Sequence, residues 1–312
     1  MQRQQAFLFP GQGSQRVGML SSAASEFAAV KATFEEASDA LGYDVWDLIQ
    51  HGDADTLALT EFTQPILLSA SVALWRAWIE AGGSVPQALA GHSLGEFSAL
   101  CCAGSISLAD AVRLVRERGR FMQTAVPVGE GAMAAVLGLD DSVVTEICKQ
   151  HSQQDGVVAE AVNFNAPGQV VIAGHTAAVE TAIERLKDAG AKRAMPLPVS
   201  APFHTSLMQP AGEKLSQVLH SIDVSSPEIP VIHNVNAAAQ SDPAKIKALL
   251  VQQISSPVLW TRCLAVLQQQ GVTSFVECGP GKVLGGLLRR VDKALDCVFL
   301  EQPEDLRAAV AQ

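Results

Sequence analysis

The chain has 312 residues, which is enough for one large domain or two smaller ones. Hydrophobic residues make up 48% and charged residues 17%, so we expect a large buried core, yet no apolar run approaches the roughly 18 residues of a membrane-spanning helix. The net charge of −10 argues against a protein that binds nucleic acid.

The start of the chain and its cysteines favour a cytosolic protein. The N-terminus lacks the basic segment and long apolar run of a signal peptide. The cysteines are scattered through apolar stretches, and no pair has the Cys-x-x-Cys spacing. We therefore expect reduced core thiols, with neither disulfides nor a bound metal. They are Cys101, Cys102, Cys148, Cys263, Cys278 and Cys297.

The first elements alternate between strand and helix. Residues 6–9 form a continuous apolar run typical of a buried strand, and a glycine-rich loop, residues 10–15, follows it. In open α/β sheets such a loop lets backbone approach a ligand, although a plain tight turn explains its Gly-x-Gly equally well. The Gly-Lys-Ser/Thr ending of a phosphate-binding loop is missing. Residues 25–41 and 65–81 have the apolar spacing of amphipathic helices.

A Gly-x-Ser-x-Gly motif centred on Ser93 comes next. The short apolar run before it predicts a strand, and residues 94–102 after it predict a helix. Gly91 and Gly95 suit a sharp strand-to-helix turn, because a Cβ at either position would collide with the neighbouring strand or helix. Ser93 is therefore a candidate nucleophile and the N–H of Leu94 a candidate oxyanion donor. The alternative is a glycine-flanked turn that happens to carry serine.

An arginine lies on the apolar face of the following predicted helix. Ser107 suits the N-cap of this helix, with Asp110 three residues on. Arg118 falls within the apolar stripe, four residues from Leu114 and from Met122. A buried guanidinium keeps its charge, so it needs an anion and several acceptors. Two interpretations stay open: a structural ion pair with an internal acid, or a bidentate grip on a substrate carboxylate.

From Met133 the pattern changes. The predicted elements are a strand over 133–139, a helix over 141–151, strands over 157–165 and 169–173, a helix over 176–189 and a strand over 193–199. This βαββαβ order over about seventy residues is that of a ferredoxin-like unit. We expect a small domain of residues 129–199, inserted into a large discontinuous domain of residues 1–128 and 200–312.

The chain then returns to the large domain. The predicted elements are helices from 207 to 219, 243 to 253, 256 to 267 and 283 to 290, and strands from 230 to 235 and 275 to 278, followed by a short tail. The strand over 275–278 ends in Gly279-Pro280-Gly281, a second glycine-containing loop at a strand terminus.

A nucleophilic serine needs a base, and there are seven histidines. His204 lies in a proline-shaped loop late in the chain, where hydrolase-like folds place their histidine. His92 adjoins Ser93, so its side chain starts in a different direction and it is a poor candidate. A loop histidine bonded to backbone is the alternative for His204. No Asp or Glu stands out as a third member of the site.

Six motifs occur in an ordered set that covers nearly the whole chain. They are Phe9-Pro10-Gly11-Gln12-Gly13-Ser14-Gln15, Gly91-His92-Ser93-Leu94-Gly95-Glu96, Arg118-Gly119, Asn163-Phe164-Asn165-Ala166-Pro167-Gly168-Gln169, Pro202-Phe203-His204 and Glu277-Cys278-Gly279-Pro280-Gly281. Each is weak alone, but the set resembles the malonyl-CoA:acyl carrier protein transacylases of bacterial fatty acid synthesis. The expected fold class is α/β: a large α/β-hydrolase-like domain with a parallel sheet, and the inserted ferredoxin-like α+β domain.

The resemblance implies a role for each matching residue. Ser93 would be acylated, with His204 as its general base. Arg118 would hold the free carboxylate of the malonyl group. The backbone N–H groups of Gln12 and Leu94 would form the oxyanion hole.

The histidine of the family is oriented by a backbone carbonyl, which Gln253 would supply. The site would then be a Ser-His dyad, which explains why no third carboxylate was found. Two positions differ from common members: Phe97 stands where Tyr is frequent, and Phe203 stands where smaller residues also occur. Neither touches the implied chemistry directly.

The implied substrates are malonyl-CoA and acyl carrier protein, with no cofactor. We expect a cytoplasmic acyltransferase of lipid metabolism, a monomer without nucleic-acid or membrane partners. The alternatives are an acyl-ester or thioester hydrolase on the same Ser-His site, a non-catalytic carrier-docking module, and a malonyl transacylase of polyketide synthesis or malonate decarboxylation. Basic residues that could contact coenzyme A or the acidic carrier, or simply be solvated, are Lys192, Arg193, Lys282, Arg289 and Arg290.

Overall fold

Two sheets organise the protein. The structure is a computed structural model that describes residues 4–155, 157–199 and 201–311. The predicted limits of the large domain at residues 1, 200 and 312 lie outside the described residues. No helix of the described ranges is both long and apolar enough to cross a membrane.

The larger sheet has five parallel strands in the spatial order β7-β2-β1-β8-β9. Alternate side chains of its central strand enter two cores: Phe7 and Phe9 pack on one face, and Ala6 and Leu8 on the other. Both faces are therefore buried, as in a sheet covered by helices on each side. The strands are β1 (Gln5–Phe9), β2 (Ala88–Gly91), β7 (Val231–Ile232), β8 (Ser274–Glu277) and β9 (Cys297–Phe299).

The smaller sheet is antiparallel, with the order β4-β5-β3-β6. Two helices pack on it through a separate apolar core that includes Val136, Ile172 and Val179. The chain order βαββαβ and this strand order are those of a ferredoxin-like unit, and the predicted fold class is confirmed. The strands are β3 (Gly131–Leu137), β4 (Ala159–Ala166), β5 (Gln169–His175) and β6 (Arg193–Pro196).

The α-helices of the described residues follow in chain order. They are α1 (Ser21–Glu26), α2 (Ala28–Leu41), α3 (Val45–His51), α4 (Ala54–Ala58), α5 (Thr60–Glu80), α6 (Leu94–Cys102), α7 (Leu108–Thr124), α8 (Asp141–Asp155), α9 (Thr176–Asp188), α10 (Gln209–His220), α11 (Pro243–Ile254), α12 (Trp260–Gln269), α13 (Val283–Val291) and α14 (Pro303–Val310). A short 3-10 turn, Ser206–Met208, precedes α10.

Several predicted bounds differ from the structure for identifiable reasons. The helix expected over 25–41 is split at Phe27, whose φ of −117° is extended. The helix expected from residue 256 begins only at Trp260, because Val258 pairs with β4: its N–H donates to Val162 O, and its carbonyl accepts from Phe164. The helix expected from residue 65 begins at Thr60 and runs through its proline. Helices α3, α4 and α14 and strand β9 were not predicted.

The strand expected over 230–235 is only two residues long. After Ile232 the backbone turns, with the N–H of Ala237 donating to His233 O. The two residues after Ile232 join a buried polar network, because Nδ1 of His233 and the backbone N–H of Asn234 both contact the carboxylate of Glu96. A tertiary contact thus ends this strand early.

The close approach of β1, β2 and α6 generates a first prediction. A Cβ on Gly95 of α6 would lie 2.0 Å from the backbone oxygen of Phe9, whereas a Cβ on Gly286 of α13 would meet nothing within 4 Å. Helix propensity favours alanine at both positions, so opposite outcomes isolate the steric effect. We expect Gly95→Ala to lower the free energy of unfolding by at least about 2 kcal/mol.

Gly286→Ala serves as the matched control and should raise the free energy of unfolding by about 0.4–1 kcal/mol. Chemical denaturation of the two variants beside the parent protein measures both changes. Equal stabilisation by the two substitutions would show that no tight packing exists at the β2–α6 turn.

Candidate active site

Ser93 sits on a strained turn between β2 and α6. Its φ of 52° and ψ of −106° lie in a region that L-residues rarely adopt, which typically costs about 1–3 kcal/mol. Asn234 stabilises this turn from both sides: its Oδ1 accepts from the N–H of Ser93 at 2.7 Å, and its Nδ2 donates to Gly91 O at 2.7 Å. The turn directs the serine hydroxyl away from the sheet, at the N-terminus of a helix.

The base candidate is in contact with this hydroxyl. Ser93 Oγ and His204 Nε2 are 2.7 Å apart, and His204 Nδ1 lies 2.8 Å from the backbone oxygen of Gln253. A carbonyl oxygen only accepts, so Nδ1 carries the ring proton and Nε2 presents its lone pair to the serine. The structure thus brings together Ser93, His204 and Gln253, the three residues that the family resemblance implies.

His204 is held as a neutral base. It is 3% exposed, and burial, followed by the positive charge of Arg118, lowers the pKa of the imidazole from an ordinary 6.5 to about 3. Its φ of 66° is again unusual for a non-glycine residue. Two residues later, the backbone N–H and hydroxyl of Ser206 both donate to the carboxylate of Glu160 in β4, which anchors the histidine loop.

Arg118 is fully buried and reaches the nucleophile. Its Nη2 donates to Ser93 Oγ at 3.1 Å and to Gln253 Oε1 at 2.9 Å, and its Nη1 donates to Gln64 Oε1 at 2.8 Å. Within residues 4–155, 157–199 and 201–311 no carboxylate forms an ion pair with this guanidinium. The contacts therefore match the ligand interpretation, in which the charge is open to a substrate, better than a structural ion pair.

Burial lowers the pKa of Arg118 to about 10, while the charge of Glu96 acts in the opposite direction. The residue is therefore positively charged at neutral pH. Its guanidinium carbon lies 5.1 Å from the ring centroid of Phe97, close enough for a cation–π contact. Phenylalanine at this position thus contacts the arginine through its ring face, so the expectation that Phe97 stays apart from the site residues was wrong.

A buried carboxylate lies behind these residues. Glu96 is 0% exposed and accepts three hydrogen bonds, from Nδ1 of His233, the N–H of Asn234 and Nε2 of Gln253, at 2.7–2.8 Å. Gln253 Nε2 also donates to the backbone oxygen of Ser93 at 3.0 Å. One anion thus fixes both Asn234, which supports the turn, and Gln253, which contacts the arginine and the histidine.

The two predicted oxyanion donors are the backbone N–H groups of Leu94 and Gln12. Leu94 is the first residue of α6, and its N–H, like that of Gln12, meets no acceptor in the described part of the chain. The side chain of Gln12 accepts a hydrogen bond from Gln64 at 3.3 Å. Its neighbour Gly11 packs so close to the turn that a Cβ there would lie 2.7 Å from His92 O.

His92 itself faces away from Ser93. Its Nε2 lies 2.7 Å from Asn165 Oδ1 in β4, and burial lowers the pKa of its ring. This contact attaches the small sheet to the residue that precedes the nucleophile. The six cysteines are free thiols, and the described ranges hold no cluster of side chains suited to a metal ion.

Sequence reasoning missed Gln64, Glu96 and Asn234. The signal that could have found two of them is a polar side chain within an apolar helical stretch, which also identified Arg118. The basic residues suspected of binding coenzyme A or the carrier are exposed. One of them, Arg290 of α13, donates to Oε1 of Gln169 in β5 of the smaller sheet. Their part in docking stays a prediction.

The lowered pKa of His204 predicts an unusual pH dependence. Because the folded-state pKa is depressed, the imidazole stays a neutral base as the pH falls through 6.5 and is protonated only towards pH 3. We expect the rate at which a fluorophosphonate labels Ser93 to remain high below pH 6, with its acid inflection well under the ordinary histidine value. Ser93→Ala provides the unlabelled blank.

The variant Arg118→Met tests the second cause of this shift. Removing the charge should move the inflection towards higher pH, although burial, the larger cause, keeps it below 6.5. An inflection near 6.5 in the parent protein would contradict the buried, neutral state of the histidine.

Comparisons with known proteins identify relatives of this chain. The family described as acyl transferase domain matches residues 6–296. The malonyl CoA-acyl carrier protein transacylase of Salmonella typhimurium is 53% identical over 307 residues, which are 98% of this chain and 99% of that protein. The solved structure of the corresponding transacylase from Coxiella burnetii has a TM-score of 0.98 and 44% identity, covering 100% of this chain and 98% of that one.

A further solved structure contains a malonyl-transacylase in complex with its type II PKS acyl-carrier protein. It has a TM-score of 0.96 and 48% identity to this chain, covering 98% of this chain and 99% of that one. The agreement extends over both sheets, and the family match spans the turn at Ser93, Arg118 and the loop of His204. The chain therefore belongs to the acyl transferase family, among the malonyl CoA-acyl carrier protein transacylases.

Proposed function

We propose that this protein transfers the malonyl group from malonyl-CoA to the phosphopantetheine thiol of acyl carrier protein, through a malonyl ester on Ser93. One observation carries the proposal: Ser93 Oγ lies 2.7 Å from a neutral imidazole and 3.1 Å from a buried guanidinium that has no carboxylate partner among the described residues. A nucleophile, its base and a receptor for a carboxylate thus meet at one atom.

In the first half-reaction, Ser93 Oγ attacks the thioester carbon while His204 Nε2 accepts the hydroxyl proton. The N–H groups of Gln12 and Leu94 stabilise the oxyanion of the tetrahedral intermediate, and loss of one such donor typically costs about 10²–10³-fold in rate. The carbon–sulfur bond then breaks, and the proton on His204 passes to the sulfur of coenzyme A. The malonyl group remains as an ester on the serine.

In the second half-reaction, the carrier thiol gives its proton to His204 and attacks the malonyl ester. The carbon–oxygen bond to Ser93 breaks, and the proton returns to the serine. A thioester is exchanged for a thioester, so the sequence balances without a redox step or an energy source, and we propose that no cofactor takes part. The relative solved with its carrier protein supports the carrier as acceptor.

Arg118 explains the preference for a carboxyacyl group. In the part of the chain that the structure describes, no carboxylate pairs with its buried charge, so a malonyl carboxylate would complete its hydrogen bonds, while an acetyl group would leave it without a counter-ion. The position of the guanidinium supports this role, because Nη2, which would bind the carboxylate, lies 3.1 Å from the hydroxyl that would carry the acyl group.

The proposal extends to the pathway, the localisation and the domain organisation of the protein. The relatives' names support a place in fatty acid synthesis, and polyketide synthesis is the alternative setting. We propose a cytoplasmic monomer in which residues 129–199 form a small domain inserted between the two segments 1–128 and 200–312 of the catalytic domain. The five basic residues named above remain candidates for carrier and coenzyme A contacts.

The covalent intermediate is directly testable. Incubation with malonyl-CoA alone should increase the protein mass by one malonyl group, and fragmentation should place that group on Ser93. Ser93→Ala should show no increase. A label that persists until carrier protein is added supports transfer, whereas rapid release of free malonate would identify a hydrolase on the same site.

The carboxylate receptor is tested by selectivity. We expect Arg118→Ala to lower the ratio of kcat/KM for malonyl-CoA over acetyl-CoA by about 10²-fold or more, because the substrate carboxylate would lose its counter-ion. Arg120→Ala is the matched control, since Arg120 lies on the same helix but is exposed and paired with Glu117. An unchanged ratio in Arg118→Ala would remove the proposed role of this residue.

A further inference from the structure

Gln64 is a buried residue of α5 that links the two halves of the site. Its side chain is 0% exposed, and its Oε1 accepts from Arg118 Nη1 at 2.8 Å while its Nε2 donates to Gln12 Oε1 at 3.3 Å. The contact with Arg118 fixes which amide atom is which, because a guanidinium only donates and must face an oxygen. Gln64 therefore spans from the carboxylate receptor to the loop that carries an oxyanion donor.

The arginine is held by two amides of the same kind. Gln64 Oε1 takes one N–H of Nη1, and Gln253 Oε1 takes one N–H of Nη2. Nη1 and Nη2 each retain a second N–H, and that of Nη2 is directed at Ser93 Oγ. Neutral acceptors satisfy hydrogen bonds of a guanidinium without neutralising its charge, whereas a carboxylate at either position would do both.

We infer that Gln64 is a specificity-determining residue because it is neutral: it contacts Arg118 without adding a negative charge, which leaves the positive charge of the guanidinium available to the carboxylate of the acyl group. This inference rests on the proposed function, in which Arg118 binds the malonyl carboxylate. It explains why a buried arginine has amides rather than acids as partners. Glu96, whose charge acts on the pKa of Arg118, contacts Gln253 instead of the guanidinium.

One isosteric substitution at Gln64 distinguishes the effect of side-chain charge from the effect of side-chain shape on selectivity. Gln64→Glu keeps the oxygen that faces Arg118 but adds a negative charge, which would form an internal ion pair and compete with the substrate carboxylate. Gln12 is exposed and can rotate its amide to donate to the new oxygen. Gln253 is less suitable for this test, because a carboxylate there would face Glu96.

The experiment measures kcat/KM for malonyl-CoA and for acetyl-CoA in three variants. Gln64→Glu should lower the malonyl-to-acetyl ratio by about tenfold or more. Gln64→Met, which has similar length and no charge, should leave the ratio within about threefold of the parent, since its arginine keeps its charge. Gln252→Glu adds the same charge at an exposed position of α11, next to Gln253 in the sequence, and controls for a general electrostatic effect.

A purely structural role for Gln64 would lower both activities together and leave the ratio unchanged in Gln64→Glu, which would overturn the inference. Equal losses of the ratio in the Glu and Met variants would also overturn it, because charge would then be irrelevant. Fluorophosphonate labelling of Ser93 reports whether each variant retains the folded site. If Gln64→Glu does not fold, the Met variant decides: a retained ratio supports the inference, and a fall of about tenfold overturns it.

Two failures remain distinguishable. If the parent protein forms no malonyl ester on Ser93, or if Arg118→Ala leaves the selectivity unchanged, the proposed function fails. If the parent protein and Arg118→Ala behave as proposed but Gln64→Glu retains the parent ratio, only the role of Gln64 fails.

Discussion

The central physical constraint of this protein is a buried guanidinium that, within the described ranges, pairs with no carboxylate. Arg118 cannot lose its charge at neutral pH, so hydrogen bonds have to offset its desolvation. It donates them to three residues from separate parts of the chain: Gln64 on α5, Gln253 on α11 and the hydroxyl of Ser93. These contacts require α5, α7 and α11 to converge at the end of β2. The packing of the large domain and the chemistry of the site therefore depend on the same residue.

Gln253 couples the parts of the site to one another. Its Oε1 accepts from Arg118, its backbone oxygen accepts from His204, and its Nε2 donates to Glu96. A displacement of this residue would disturb the base and the carboxylate receptor together. The charge on Arg118 also lowers the pKa of His204, so the residue that would bind the acyl group keeps the base neutral as well.

The sequence alone predicts the local part of this arrangement. The turn at Ser93, the inward face of Arg118 and the βαββαβ order follow from glycine spacing and apolar periodicity, which are properties of neighbouring residues. Periodicity shows which face of a helix is buried but not which residue it meets, so the contacts of Gln64 and Glu96, made across dozens of residues, were not foreseen. His204 is a candidate base from its place in a proline-shaped loop late in the chain, whereas the role of Gln253 comes only from the resemblance carried by the ordered motifs.

The smaller sheet contacts the two strained segments that carry Ser93 and His204. Ser93 and His204 both have positive φ, and such strain persists only where surrounding contacts determine the backbone. Large-domain residue Asn234 constrains the serine turn, while the small sheet holds its flank through Asn165 and the histidine loop through Glu160. The small sheet therefore supports both strained segments, in addition to the contacts that Asn234 makes with the serine turn and Gln253 makes with the base.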